Sequence, residues 1–310
     1  MRNLTLDNLV RACGGEPRGP AFSGEIRAVT TDSRAVTPGC LFAAIRGERA
    51  DGHDYVNSAL EKGAACCLVG RVPEGYAGGC LILVPDTVAA LQRIAGFYRA
   101  QFPIPVVGVT GSVGKTTAKE MTAAVLARRF HVHKTSGNFN NDLGVPLTLF
   151  GLREEHTAAV VELGVSHPGD MTRIAAVARP TIALYTNIGD AHLEFLGSRA
   201  GILQEKSRMN AVLPENGTVF CNGDDPLLRE LSCEQKQVTY GLGEGNGVRA
   251  EHVTALPDGT TACTIVSGDR RFDAAIPAFG EHMVYAALGA AAIGLELGLT
   301  AEEIAAGIAD

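Results

Sequence analysis

Between residues 106 and 117 the chain reads Val106-Val107-Gly108-Val109-Thr110-Gly111-Ser112-Val113-Gly114-Lys115-Thr116-Thr117. An apolar, β-branched run stops at a glycine-rich turn, and a polar helix opens on Lys-Thr-Thr. That order confines the middle of the chain to a strand–loop–helix unit of a mostly parallel α/β sheet. In such a unit the backbone N–H groups of the loop and the helix N-terminus cradle phosphates. Lys115 brings a point charge to the outer phosphates, and the Thr116 hydroxyl can reach a magnesium ion. The glycines fall at 108, 111 and 114, whereas the general pattern wants one at 109, where Val109 stands. A Gly-Lys-Thr on a solvated loop is the competing reading. Strand before and helix after favour phosphate binding.

Upstream, residues 1–85 read as a small α/β domain. Leu6, Leu9 and Val10 give one helical face, closed by Gly14-Gly15. Strands are expected over 26–30, 41–45, 65–69 and 81–84, with a helix over 55–62. Asp32-Ser33-Arg34 follows the first strand. The Ser33 hydroxyl and Arg34 guanidinium suit a diphosphate or a base edge, and a turn with a surface ion pair is an equal alternative. Asp51-Gly52-His53-Asp54 resembles a metal site, but a helix N-cap with a solvated histidine is favoured.

From residue 86 to the end a second domain is expected. A helix over 88–97 leads to the loop strand, and a helix over 118–129 and a strand over 131–134 come after it. The stretch 135–146 carries Asn138, Asn140 and Asn141 among glycines, usual in a turn, with amides that suit sugar, peptide or nucleotide ligands. The strand over 158–162 ends in Glu162. A carboxylate at the tip of an apolar strand is costly unless paired or metal-bound, and such strand ends line the ligand crevice of an α/β sheet. Glu162 is therefore expected to ligate magnesium or position water. The strand over 181–188 carries Asn187 and leads to His192 and Glu194 on the same side. Alone, His192 reads as a satisfied loop histidine, and Lys206, on a helix over 200–212, as a surface charge. A strand over 217–222 precedes a helix capped by Gly223-Asp224-Asp225-Pro226. Residues 237–276 read as an antiparallel meander, and helices close the chain from about 281 past 295 and over 301–309.

The net charge of −7 argues against sequence-independent binding of nucleic acid, which needs a basic footprint. Eight cysteines without a C-x-x-C pair read as inert thiols in a reducing cytoplasm. The start has no apolar signal region, and the longest apolar stretch, 283–295, is too short to span a membrane. A cytoplasmic monomer without membrane insertion is expected.

Taken together, these stretches resemble the Mur ligases, ATP-dependent amide-forming enzymes of peptidoglycan precursor synthesis, and most of all the MurF type within that family. Thr110 to Thr117 is similar to the family's phosphate loop, including its glycine spacing. Gly137-Asn138-Phe139-Asn140-Asn141-Asp142-Leu143-Gly144-Val145-Pro146 and Glu162-Leu163-Gly164-Val165-Ser166-His167 resemble the signatures of that type. Thr186-Asn187-Ile188-Gly189-Asp190-Ala191-His192 and Lys206 follow in family order, and Asp32-Ser33-Arg34 with Asp51-Gly52-His53 resembles its UDP-side domain.

The resemblance implies a small N-terminal UDP-binding domain and a central ATP-binding domain with a mostly parallel sheet, flanking helices and a small antiparallel sheet. It implies joining of D-Ala-D-Ala to UDP-MurNAc-tripeptide through an acyl phosphate, with ATP and two magnesium sites. Lys115, Glu162, His192 and Lys206 would be the catalytic residues. Gly111, Ser112, Val113, Gly114, Lys115, Thr116, Thr117, Asn187 and His282 would hold the nucleotide. Ser33, Arg34, Asn138, Asn140 and Asn141 would hold the substrate. Thr116, Glu162, His192 and a carbamate on Lys206 would hold magnesium.

Three departures stand out: Arg208 where an acid is common, Met283 and Ala286 where asparagines are common, and an end at Asp310 where the family continues into a C-terminal domain. The expectation is that these residues alone bind nucleotide weakly and ligate poorly or not at all. Alternatives are a MurE-type or folylpolyglutamate-type ligase, a non-catalytic UDP-nucleotide-binding protein, or a nucleotide-hydrolysing switch.

Overall fold

The computed structural model describes residues 1–48 and 50–310, and its contacts divide them into two compact units. One unit comprises residues 1–103 and 142–153, the other 104–141 and 154–310. The expected boundary at 85 falls before the helix Thr87–Arg99, which packs against Leu6–Cys13 and so goes with the first unit.

In the first unit α1 (Leu6–Cys13), α2 (Val56–Glu61) and α3 (Thr87–Arg99) accompany a sheet of β1 (Glu16–Arg18), β2 (Val29–Thr30), β3 (Leu41–Ala43), β4 (Cys66–Val69) and β5 (Leu81–Leu83). The strand order is β1-β5-β4-β3-β2, parallel except for β1. The β3 and β4 side chains are buried throughout, as continuous Leu-Phe-Ala and Cys-Cys-Leu-Val runs require. Thr5 and Asp86 cap α1 and α3 with side-chain oxygens. The β1 strand has no alternating pattern and escapes a reading of the sequence. The strand expected over 26–30 keeps only its last two residues in ladder pairing.

The second unit holds a nine-stranded sheet. Its strands are β6 (Val106–Thr110), β7 (Val132–Lys134), β8 (Ala158–Glu162), β9 (Ile182–Tyr185), β10 (Thr218–Asn222), β11 (Lys236–Gly241), β12 (Val248–Ala255), β13 (Thr261–Ser267) and β14 (Arg270–Ile276). The order is β14-β13-β12-β11-β10-β9-β6-β8-β7, parallel from β7 through β12 and antiparallel beyond it. The antiparallel strands thus extend the large sheet at its edge. Lys236–Gly241, expected within the meander, instead pairs parallel with β10.

The helices of this unit are α4 (Lys115–Ala127), α6 (Asp170–Ala178), α7 (Leu193–Leu196), α8 (Arg199–Ser207), α9 (Pro226–Arg229), α10 (Glu281–Glu296) and α11 (Ala301–Ala309); α5 (Gly144–Leu149) belongs to the first. The apolar stretch 283–295, too short to span a membrane, is a largely buried helix packed on α4. Small residues bring it close: a Cβ on Gly289 would lie 3.2 Å from Leu184 Cδ1 and 3.3 Å from Tyr240 Cζ. Among the described residues no helix is long and apolar enough to cross a membrane.

Candidate nucleotide and substrate sites

All five β6 residues are buried, so the loop that follows leaves the sheet from a rigid strand end. Gly114 is the N-cap of α4 at φ +77°, a left-handed conformation that a side chain resists. Gly111 is required twice over. Its φ is +151°, and a Cβ there would run into Thr186 Oγ1. The loop is pinned to the end of β9. Thr186 Oγ1 donates to Val113 O at 2.6 Å, Val113 N to Asn187 Oδ1 at 3.0 Å, and Ser112 N to Asn187 O at 3.0 Å. Gly189 N donates to Ser112 Oγ at 2.9 Å. Asn187 therefore shapes the loop that would hold the phosphates.

Two lysines converge on this loop. Lys115 Nζ donates to Gly111 O at 2.9 Å, and Lys206 Nζ, from α8, donates to the same oxygen at 3.0 Å. Lys206 is 1% exposed, far from the surface charge that its helix alone suggests. Burial, and then the positive charge of Lys115, bring its ammonium down to about 7. Lys115 is also lowered by burial, against an opposing pull from Glu162.

Glu162, at the end of β8, is 2% exposed and fully engaged. Its Oε2 accepts from Thr116 Oγ1 at 3.0 Å, its Oε1 from Asn140 Nδ2 at 2.8 Å, and its N–H donates to Thr135 Oγ1 at 3.0 Å. Gly164 makes room for this: a Cβ there would sit 2.9 Å from Asn140 Cγ. Thr116 and Glu162 form a pair of hard oxygen donors, a set that fits magnesium. His192, the N-cap of α7 at φ +66°, is exposed and makes no hydrogen bond to Glu162 or Lys206. Among the described residues no group of three His, Cys, Asp or Glu side chains lies close enough to hold a metal ion.

Beside the loop is a cavity of about 310 Å³ lined by Gly114, Thr117, Asn187, Tyr240, His282 and Tyr285 among others. His282 and Thr117 both line this cavity. Asn138 and Asn141 are exposed on the loop after β7. Asn140, expected on the substrate, has its amide on Glu162.

In the first unit Ser33 and Arg34 line a second cavity, of about 820 Å³, with Phe42, Ile45 and Tyr55. Arg34 is tied to Asp32 by a bidentate pair, Nε to Oδ1 at 2.9 Å and Nη2 to Oδ2 at 2.8 Å. That pair holds the Asp32 carboxyl down at about 2. The turn with a surface ion pair is thus present, and the paired Arg34 lines the cavity. Asp51 does cap the following turn, accepting from His53 N at 3.0 Å. His53 itself is 6% exposed, correcting the solvated histidine expected there. Its Nδ1 meets Asp51 Oδ1 at 2.6 Å and its Nε2 accepts from Gly70 N at 2.8 Å, which makes it a neutral strut between two loops.

Three features were not singled out from the sequence: Thr135, which accepts the Glu162 N–H; Thr186, which pins the loop; and Tyr285, which lines the cavity. Thr135 and Thr186 lie within quoted stretches, but a hydroxyl's partner is not visible in a chain's order. Arg208, the unexplained departure, pairs with the buried Glu205 at 3.0 Å and restores the local charge balance.

Comparison with known proteins agrees with this geometry. The Mur ligase middle domain matches residues 109–294, and a second model, the Mur ligase family catalytic domain, matches 25–99. The UDP-N-acetylmuramoyl-tripeptide–D-alanyl-D-alanine ligase of Bacillus subtilis is 39% identical over 99% of this chain and 67% of its own length. A crystal structure of MurF from Acinetobacter baumannii superposes with a TM-score of 0.91 at 34% identity, over 98% of this chain and 67% of that one. A MurF ligase from Thermotoga maritima in complex with ADP has a TM-score of 0.80 at 30% identity, over 90% and 65%. The chain spans about two thirds of the length of these relatives.

Proposed function

Because this chain belongs to the Mur ligase family, we propose that it carries the ATP-binding and UDP-substrate-binding parts of an enzyme that joins D-Ala-D-Ala to UDP-MurNAc-tripeptide. The observation that carries this reading is the convergence of Lys115, Lys206, Thr116 and Glu162 on one phosphate loop, in a chain whose similar proteins are ligases of that type.

The reaction has to bring two anions together, so positioning and charge neutralisation dominate. The peptide's terminal carboxylate attacks the γ-phosphorus of ATP, giving an acyl phosphate and ADP. The D-Ala-D-Ala amine then attacks the acyl carbon, and the tetrahedral intermediate collapses with loss of phosphate, which keeps one carboxylate oxygen. The loop N–H groups and Lys115 hold the phosphates and spread their charge. Gly111, Ser112, Val113, Gly114 and Thr117 shape that cradle, Asn187 pins it, and His282 lines the space beside it for the nucleoside.

Thr116 and Glu162 would hold a magnesium ion, which when bound neutralises phosphate oxygens. Lys206 is biased toward its neutral amine, the form that adds carbon dioxide to become a carbamate. That carbamate and His192 are the proposed donors for a second magnesium. Ser33 and Arg34 are assigned to the uridine diphosphate, Arg34 exchanging Asp32 for the ligand. Asn138 and Asn141 are assigned to the substrate, with Asn140 acting through Glu162. The reading places the protein in the cytoplasm, with its ATP.

The test is phosphate release by the native enzyme with ATP, magnesium, UDP-MurNAc-tripeptide and D-Ala-D-Ala, each omitted in turn. Release is expected only in the complete mixture. Release at an undiminished rate without both peptide substrates would favour a nucleotide-hydrolysing switch.

A further inference from the structure

The parallel pairing of β4 with β5 sets two thiols side by side. Cys67 stands opposite Leu81 and Leu68 opposite Ile82, so one step back along the ladder Cys66 faces Cys80. The Cys67 N–H donates to Cys80 O at 2.9 Å, which fixes that step. Neighbouring strands run about 4.8 Å apart, within the roughly 4.4–6.8 Å between Cα atoms that a disulfide spans. Residues paired across a ladder share a face, and the next along each strand points the other way. Cys67 accordingly packs with Cys40, Phe42 and Val56, while the Cys66 and Cys80 sulfurs meet each other. Both are free thiols.

The two thiols are not equivalent. Cys66 is fully buried, whereas Cys80 keeps 4% exposure and lines a cavity of about 440 Å³ with Phe22, Leu60 and Gly79. A water molecule takes about 30 Å³ of liquid, so that cavity has ample room for a peroxide. The Cys66 S–H brings the Cys80 thiol below the usual value against its burial, and the Phe22 N–H at the same sulfur adds to this. The Cys80 sulfur, and then burial, push Cys66 far up, so the shared proton stays on Cys66. The thiolate is the attacking form of cysteine, and a reachable sulfur of lowered acidity constant beside a second thiol is the arrangement that oxidises first.

We propose that Cys66 and Cys80 form a peroxide-oxidisable pair, Cys80 reacting first from the cavity and Cys66 resolving it to a disulfide between β4 and β5. The Cys80 sulfur attacks one oxygen of hydrogen peroxide, the O–O bond breaks, and hydroxide leaves and takes up a proton as water. Cys80 is then a sulfenic acid. The Cys66 sulfur attacks the Cys80 sulfur, the S–O bond breaks, and the departing oxygen leaves as a second water with the Cys66 proton. Two thiols lose two electrons and two protons in all, and one peroxide is reduced to two waters. The pair stands apart from the nucleotide reading and does not depend on it.

The test exposes the native protein, freed of reductant, to hydrogen peroxide while folded, then denatures, alkylates and maps it by mass spectrometry without reduction. A link between residues 66 and 80, two hydrogens lighter than the free peptides, is expected, with loss of two of the eight thiols and their recovery in dithiothreitol. Fragmentation between Cys66 and Cys67 tells those neighbours apart. A link through Cys67 or Cys13 instead, or oxidation confined to the half-buried Cys233 with Cys66 and Cys80 still thiols, would overturn the inference. Cys66→Ala should stop at the sulfenic acid, trapped on Cys80 by dimedone, and Cys80→Ala should leave Cys66 unoxidised. Dimedone on Cys66 in the Cys80→Ala protein would contradict the assigned order. The map of the parent protein decides the pairing whether or not either variant folds.

Discussion

Lys115 Nζ and Lys206 Nζ donate to one acceptor, the carbonyl oxygen of Gly111, at 2.9 and 3.0 Å. Two ammonium groups sharing one oxygen in a buried site repel each other, and burial falls harder on Lys206. The folded protein therefore favours the neutral amine more at Lys206 than at Lys115.

The sign of the pH effect follows. The Lys206 value falls from 10.5 to about 7 on folding, so within that window the unfolded chain binds a proton that the folded chain lacks. Stability from this group therefore rises with pH from about 7 toward 10.5 and is lowest below 7. Thermal melts of the parent against Lys206→Met should show the parent gaining relative to the variant across this window. In ligation assays the same variant should lose at least about 100-fold, and added bicarbonate should not restore it.

Glu162→Gln keeps shape and removes charge from the proposed magnesium pair with Thr116. Titration of ADP with and without magnesium should show the metal's contribution cut by at least about tenfold, with metal-free ADP binding nearly unchanged. Equal weakening in both conditions would mean that Glu162 serves the loop's shape only.

Gly111→Ala places a methyl group against Thr186 at a backbone conformation unsuited to it. It should cost about 1–3 kcal/mol by chemical denaturation and abolish detectable nucleotide binding. Gly114→Ala meets no neighbouring atom and should show the milder cost of a left-handed residue alone.

His53→Ala strands the Gly70 N–H and frees Asp51 from one of its partners. Melting should show a loss of about 1–3 kcal/mol, with UDP-substrate affinity falling as the adjoining loop loosens. Nitrogen NMR of the parent should report a neutral ring protonated at Nδ1.

The phosphate loop was legible because its constraint is local: a strand, a turn and a helix adjacent in the chain. Glu162 was legible as a carboxylate ending an apolar strand, since such a group needs a partner. Lys206 was not legible from its own surroundings, because Gln204, Glu205 and Arg208 make its helix look solvated; only the fold turns that face onto Gly111. His53 shows the reverse error: a polar Asp-Gly-His-Asp run reads as solvent-facing, yet two complementary partners bury the ring. The parallel pairing of Lys236–Gly241 was equally hidden, since alternation does not report strand direction.

The most direct test of the central claim follows an oxygen atom. The native enzyme is supplied with UDP-MurNAc-tripeptide whose terminal carboxylate carries oxygen-18, together with ATP, magnesium and D-Ala-D-Ala, and the released phosphate is analysed by mass spectrometry. If the loop holds the γ-phosphate for attack by that carboxylate, each phosphate leaves with one labelled oxygen. Phosphate free of label, at the same yield of ligated product, would contradict the account.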